Sequence, residues 1–226
     1  MKMRIFASMV LLVSHCFAGE PISLFNGKDL TGWTVDIPSS DKDPNQLPSF
    51  IVHEGKLVSL DRPGGHLLTE KSYQNYKLSV VYRFPSGGGN CGILVHASKL
   101  RELHNMFPKS IEVQMMHKNA GDFWCIGENI EVPDMEKRRP RANPNQAFGG
   151  GKGDARQILN LTDDSEKPLG EWNTMEIECR NDEIKVHVNG TLVNHGTKAT
   201  ATSGKIAVQA EGTQVEFKKI ELTPLE

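Results

Sequence analysis

The chain has 226 residues, of which 38% are hydrophobic and 24% are charged, and its formal net charge is −2. This composition excludes a disordered or collagen-like chain, because the apolar content is ordinary and the 21 glycines and 12 prolines follow no period. Acidic and basic residues nearly balance, which gives no reason to expect nucleic acid as a partner. A chain of this length can bury a full core without disulfides.

Residues 1–18 have the pattern of a secretory signal peptide. Lys2 and Arg4 give a positive start, and residues 5–13 form a mostly apolar run that is too short for a transmembrane helix. Ala18 is a small residue at the expected cleavage point. We therefore expect a secreted or periplasmic protein.

The mature part is predicted to be one domain over residues 19–226. It contains no apolar run of the roughly 18 residues that a spanning helix needs, so we expect no membrane span. A second interpretation of the leader is a lipid anchor on Cys16, although His15 is an unfavourable residue directly before such a site.

Three cysteines remain in the mature part, and two arrangements are open to them. A disulfide could join Cys91 to Cys125, leaving Cys179 as a free thiol. We favour the other arrangement, in which all three are reduced and packed as small apolar residues.

Short alternating segments separated by turn residues recur through the mature chain. In residues 76–84, YKLSVVYRF, every second residue from Tyr76 is apolar, which is typical of a strand with one buried face. Further strands are predicted at 50–60 (two strands), 91–97, 110–116, 175–180, 184–189, 191–195, 205–210 and 214–222. Many short strands of period two predict an all-β fold, an antiparallel two-sheet β-sandwich of the jelly-roll kind.

Residues 131–153 differ from the rest, because they are polar and rich in Pro, Gly, Arg and Asn. A long loop of this kind usually carries a function or moves. Its basic run at 137–141, KRRPR, has two interpretations: a solvated loop, or a cationic flap over an anionic or hydroxyl-rich ligand.

Alternation also places several polar side chains opposite the apolar ones. In GILVHA, His96 points away from the apolar residues, and in IEVQM, Glu112 and Gln114 do the same. Arg83 occupies the polar face of its own strand. If these strands are neighbours in one sheet, the four side chains share the open surface of the sandwich. A carboxylate beside an imidazole can perform acid–base chemistry, and a hydrogen-bonded polar face without chemistry is the alternative.

Three further residues are candidates for the same surface. Trp124 could stack on a sugar ring, although burial in the core is the commoner fate of a tryptophan. Gln209 alternates with apolar neighbours and could join the polar face. His117 could complete a metal site with His96 and Glu112, so the alternatives for a cofactor are a divalent metal ion or none.

Five stretches carry a resemblance to a known family, and together they span almost the whole mature chain. They are SLFNGKDLTGW (23–33), LLTEKSYQNYKLSVVYRF (67–84), GGNCGILVHA (88–97), GEWNTMEIECRNDEIKVHVNGTLVN (170–194) and GKIAVQAEGTQVEFKKIEL (204–222). With them the chain resembles the secreted 3-keto-disaccharide hydrolase family, which was first described as a domain of unknown function. The resemblance implies a concanavalin A-like lectin/glucanase sandwich. The E-x-Q pattern of the family matches Glu112 and Gln114, whereas His96 and Glu211 stand where relatives commonly carry other residues.

The resemblance also implies a chemistry and a carbohydrate substrate. A ketone at C3 of a sugar acidifies the hydrogen on C2; a base removes that proton, the C1 substituent leaves by β-elimination, and water adds back. We expect His96 or Glu112 to take the proton, while the other orients it or protonates the leaving oxygen. Arg83, Gln114 or a metal ion would stabilise the enolate. Whether the reaction ends at the enone stays open.

Two other functions remain as alternatives. One is a non-catalytic carbohydrate-binding module, because this fold carries lectins as well as enzymes. The other is an ordinary glucanase, which needs two carboxylates. Only one acid, Glu112, lies on the predicted face, and this favours elimination.

Overall fold

A computed structural model describes residues 19–226, so the predicted signal peptide and Cys16 lie outside the described residues. The regular structure is nearly all β, with one α-helix of four residues. None of the helices between residues 19 and 226 is long and apolar enough to cross a membrane.

Most elements follow one another with short connections; the longer connections are residues 98–109, 139–156 and 159–172. They are β1 (Ile22–Ser23), β2 (Trp33–Asp36), a 3-10 helix (Pro38–Asp41), β3 (Phe50–His53), β4 (Lys56–Ser59), β5 (Gly65–Thr69), β6 (Tyr73–Gln74), β7 (Tyr76–Arg83), β8 (Gly92–Ala97), β9 (Ser110–Gln114), β10 (Phe123–Ile126), α1 (Met135–Arg138), β11 (Gln157–Ile158), β12 (Asn173–Arg180), β13 (Glu183–Val188), β14 (Thr191–Gly196), β15 (Ser203–Ala210) and β16 (Val215–Pro224).

The strands form two antiparallel sheets of eight strands each. The first sheet has the order β14-β13-β12-β7-β16-β4-β3, with β1 paired to β16. The second has the order β11-β10-β9-β8-β15-β5-β2, with β6 paired to β15. This architecture confirms the predicted all-β, two-sheet sandwich.

The two sheets enclose one apolar core, to which the long strands contribute alternate residues. On β7 the inward residues Tyr76, Leu78, Val80 and Tyr82 are fully buried. Burial of each large apolar side chain stabilises the fold by about 1.5–3 kcal/mol. The three cysteines of the described residues are buried and form no disulfide, as expected for reduced cysteines that pack as apolar residues; they are Cys91, Cys125 and Cys179.

The second sheet carries another apolar cluster on its outer face. Leu68, Leu94 and Ala207 lie there under Leu103 and Phe107, which belong to the connection between β8 and β9. We call this connection, residues 98–109, the 98–109 loop. It closes on itself, since Ser98 donates its N–H to the carbonyl of Lys109. The loop therefore covers part of a sheet face that would otherwise meet water.

A bulge in β8 reverses the side chains at its end. Leu94 pairs with Ala207 and Ala97 with Lys205, so two residues of β8 face one residue of β15. His96 has a φ of 56° and packs inward, its ring 5.8 Å from that of Tyr76, while Ala97 joins the outer cluster. The expectation that His96 lies on the outer face is therefore wrong.

The two central arginines of the basic run at 137–141 are buried, which neither interpretation predicts, whereas Lys137 and Arg141 are exposed. Arg139 is 0% exposed and donates hydrogen bonds to the carbonyls of Ala155 and Gly149 and to Asn129 Oδ1, at 2.6–2.8 Å. Arg138 donates to the Leu159 carbonyl and to Asn194 Oδ1. The two guanidinium groups hold the loop together from inside.

Arg139→Ala is expected to lower the free energy of unfolding by about 3 kcal/mol, because it leaves buried acceptors without a donor. The matched control is Arg141→Ala, whose side chain contacts the exposed Glu136 and should change stability by less than about 1 kcal/mol. Urea denaturation of both variants measures the difference. Equal losses would contradict the structural role of Arg139.

Candidate functional site

The candidate site lies on the outer face of the second sheet, next to the 98–109 loop. Glu112 on β9 pairs with Leu94 on β8 and with Trp124 on β10, so the three side chains form one row across the sheet. A Cβ atom on Gly92 would overlap Oε1 of Glu112. The Glu112 side chain thus lies over Gly92, and this close approach requires a glycine.

A second row runs beside the first. Gln114 pairs with Gly92, and Gln209 on β15 pairs with His66 on β5. Because Val208 pairs with Ile93, Gln209 follows next to Gly92. Gln114 and Gln209 therefore flank Gly92, one on each side.

A cavity of about 290 Å³ opens over Glu112. This volume is at the lower end of the range for ligand pockets and suits one small ring. Its lining combines carboxyl, amide, guanidinium and aromatic groups: Asn90, Phe107, Glu112, Gln114, Trp124, Ile126, Arg156 and Glu211.

The Glu112 carboxyl is the most perturbed group in this cavity. Its side chain is only 5% exposed, and Oε1 has no hydrogen-bond partner within residues 19–226. Burial above all, and then the charge of Glu211, raise its pKa; Arg156 opposes the shift, and the resulting pKa is about 8. Glu112 can therefore gain and lose a proton near neutral pH, as a general acid or base must.

Glu211 supplies a second carboxyl, and this corrects the expectation of a single acid on the face. Asn90 donates from Nδ2 to Glu211 Oε2 at 2.7 Å. Burial raises the pKa of Glu211 as well. The two carboxyls differ in their surroundings, because one oxygen of Glu211 is hydrogen-bonded whereas Oε1 of Glu112 is bare.

An aromatic wall and several donors complete the cavity. The Arg156 guanidinium lies 5.3 Å from the centre of the Trp124 ring, and the indole N–H is buried without a partner in the described part of the chain. Gln114 accepts at Oε1 from the N–H groups of Met115 and Met116, at 3.1 and 3.3 Å. The amide NH₂ of Gln114 is therefore the end left for a ligand.

The other predicted site residues lie elsewhere. Arg83 is on β7 in the first sheet, where it donates to Glu216 at 2.8 Å and stacks 4.6 Å from the Trp172 ring. The expectation that Arg83 shares a surface with Glu112 is wrong, because β7 and β9 belong to different sheets.

The proposed metal ligands also do not meet. His96 lies inside the bulge and donates from Nδ1 to the Ala201 carbonyl at 2.9 Å. His117 Nδ1 lies 3.8 Å from Glu166, outside the lining of the Glu112 cavity. Within residues 19–226, no three His, Cys, Asp or Glu side chains are grouped to hold a metal ion. His96, Glu112 and His117 thus do not fit a shared ion.

A family model described as a 3-keto-alpha-glucoside-1,2-lyase-like domain matches residues 20–223. The chain belongs to this family. The resemblance read from the five sequence stretches is thereby confirmed. Among proteins of curated function, none matches the chain significantly.

Solved structures share the fold at low sequence identity. A candidate glycosyl hydrolase from Parabacteroides distasonis ATCC 8503 is 19% identical, with a TM-score of 0.61 over 91% of this chain and 94% of that one. The laminarinase catalytic domain from Thermotoga maritima is 12% identical, with a TM-score of 0.57 over 93% and 99%. A carbohydrate-binding module from Bacillus subtilis is 10% identical, with a TM-score of 0.56 over 84% and 95%. These identities show a common fold that carries both enzymes and binding modules.

Sequence reasoning missed the cavity residues that come from connections between strands. Asn90, Phe107 and Arg156 follow no strand alternation, so no periodic pattern singles them out. Glu211 drew notice only as a departure from the family pattern. The proximity of such residues depends on the paths of the connections.

The raised pKa of Glu112 predicts a specific pH dependence of stability. Between the ordinary glutamate value of 4.5 and about 8, the folded state keeps a proton that the unfolded state releases, so stability falls as pH rises. Glu112→Gln removes this titration. The variant should therefore gain stability relative to the parent protein from pH 5 to pH 9, by up to about 4 kcal/mol.

Chemical denaturation at several pH values measures this gain. The matched control is Glu178→Gln, because the Glu178 side chain is 37% exposed on the first sheet. This control should not show the gain expected of Glu112→Gln. A flat difference for Glu112→Gln would show that the Glu112 pKa is not raised.

Proposed function

We propose that the protein is a carbohydrate-active enzyme that cleaves 3-keto-glycosides by elimination across C1 and C2. The observation that carries this proposal is the buried, unpartnered Glu112 carboxyl in a sugar-sized cavity, with a pKa of about 8. Membership of a family described as 3-keto-alpha-glucoside-1,2-lyase-like supports the substrate class.

In the first step, ionised Glu112 takes the proton from C2 of the sugar. The C2–H bond breaks, and its electron pair forms a C2=C3 bond while the ketone oxygen becomes an enolate. Arg156 and the NH₂ group of Gln114 line the same cavity and would stabilise that negative oxygen. Trp124 offers a ring face on which the sugar can stack.

In the second step, the enolate reforms the ketone and expels the C1 substituent. The electron pair moves to form C1=C2, and the C1–O bond breaks. Protonated Glu211 gives its proton to the leaving oxygen; burial keeps that proton bound to higher pH than usual. Water then adds to C1 as ionised Glu211 takes one of its protons, and Glu112 returns the first proton to C2. Both carboxyls regain their starting states, which completes net hydrolysis.

Replacement of the base tests this assignment directly. Glu112→Gln should reduce kcat/KM on a 3-keto-glucoside with a chromogenic leaving group by 10²–10⁴-fold, the usual contribution of a general base. In the parent protein, kcat/KM should pass through a maximum with pH and fall above about pH 8, because the elimination needs one proton in the pair, with Glu112 ionised and Glu211 protonated.

The control is His96→Asn, since asparagine tolerates the positive φ of this residue. This variant should keep turnover within a few-fold. Loss of turnover in His96→Asn with full turnover in Glu112→Gln would reverse the assignment. Binding of unmodified glycans by the folded parent protein, without any turnover, would favour the carbohydrate-binding module instead.

We also propose that the protein acts outside the cytoplasm, with residues 1–18 removed as a signal peptide. The sequence pattern of those residues supports this proposal. After expression in a secreting host, mass spectrometry should find a mature N-terminus at Gly19. A lipid-modified N-terminal Cys16 would support the anchor, and an intact Met1 would contradict both.

A further inference from the structure

A second cavity, of about 600 Å³, lies beside the Glu112 cavity. Phe107 and Glu211 line both, so these two side chains form the boundary between the cavities. A ligand that is longer than one ring could therefore extend from Glu112 past Glu211 into the larger space.

Two buried polar side chains of the second cavity have no partners. His66 is 0% and Gln209 is 1% exposed, and the two are paired across β5 and β15. Neither ring nitrogen of His66 and neither amide atom of Gln209 has a hydrogen-bond partner in residues 19–226. Buried polar groups are almost always hydrogen-bonded, so this pair points to a ligand that supplies the missing partners.

The chemistry of the pair defines that ligand. Burial lowers the pKa of His66 to about 4, so the imidazole is neutral at pH 7, with one donor and one acceptor. Gln209 offers an NH₂ donor and a carbonyl acceptor. Hydroxyl groups both donate and accept, and they match such a neutral mixed pair better than a charged group does. Phe107, whose ring lies 5.7 Å from His66, adds an apolar wall for the carbon skeleton.

We propose that His66 and Gln209 form a leaving-group subsite that selects a neutral, hydroxyl-bearing ring. This inference rests on the proposed function. The 3-keto sugar occupies the Glu112 cavity, the C1–O bond lies at Glu211, and the leaving group fills the second cavity. The pair determines specificity through contacts with the leaving group, and takes no part in the proton transfers.

Selectivity between two substrates tests the subsite. The substrates are methyl 3-keto-glucoside, whose leaving group is methanol, and a 3-keto-glucosyl-glucose, whose leaving group is glucose. For His66→Leu and Gln209→Met, the ratio of kcat/KM for the glucosyl over the methyl substrate should fall 10- to 100-fold. The matched control is His53→Leu on β3, whose side chain is 65% exposed on the first sheet; its ratio should not change.

Binding of free glucose gives a readout that needs no turnover. The ring C–H signals of His66, assigned by their loss in His66→Leu, should shift saturably in NMR spectra as glucose is added. Gln209→Met should weaken that binding at least tenfold.

The two readouts separate the two proposals. If the parent protein turns over neither substrate while glucose shifts the His66 signals, the proposed function fails, and the pair remains a binding site for a hydroxyl-bearing ring. If glucose leaves the His66 signals unchanged, or the selectivity of both variants equals that of the parent, the subsite is overturned. In that case, ordered water would be the partner of the pair.

Discussion

Burial of the Glu112 carboxyl against the outer face of the second sheet is the constraint on which the candidate site depends. The outer face of a sandwich normally meets water, and a glutamate there keeps an ordinary pKa. Here the 98–109 loop covers the neighbouring strands with Leu103 and Phe107, and Gly92 leaves the space into which the carboxyl fits. Exclusion of water from the Glu112 carboxyl raises its pKa, so that the group can transfer a proton near neutral pH.

The two carboxyls of the site, Glu112 and Glu211, have different environments. Glu211 has an amide donor on one oxygen, whereas Glu112 has a bare oxygen and feels the charge of Glu211. Pairs of titratable groups in unlike surroundings are a common basis for distinct acid and base roles. The same fold carries lectins and hydrolases, so these local environments, and not the sandwich, carry the functional argument.

The buried arginines connect stability to the site. Arg139 donates to the carbonyl of Ala155, and the next residue, Arg156, is held to β10 by the N–H of Cys125. The guanidinium of Arg156 then lies over Trp124 at the cavity wall. A segment that looks like a solvated basic loop in the sequence therefore fixes the one arginine that lines the Glu112 cavity among the described residues.

The sequence by itself determined the all-β sandwich and the outward direction of Glu112 and Gln114, because the period-two pattern runs unbroken through β9. Tertiary structure decided the rest. The sequence analysis placed Arg83 on the wrong sheet, because the sheet that a strand joins depends on pairing with strands far away in the sequence. The sequence analysis placed His96 on the outer face, but a bulge in β8 against β15 turns its side chain inward. The extra residue of a bulge does not show in the alternation of polar and apolar residues. Asn90, Arg156 and Glu211 reach the cavity through connections between strands, whose paths depend on packing and follow no period.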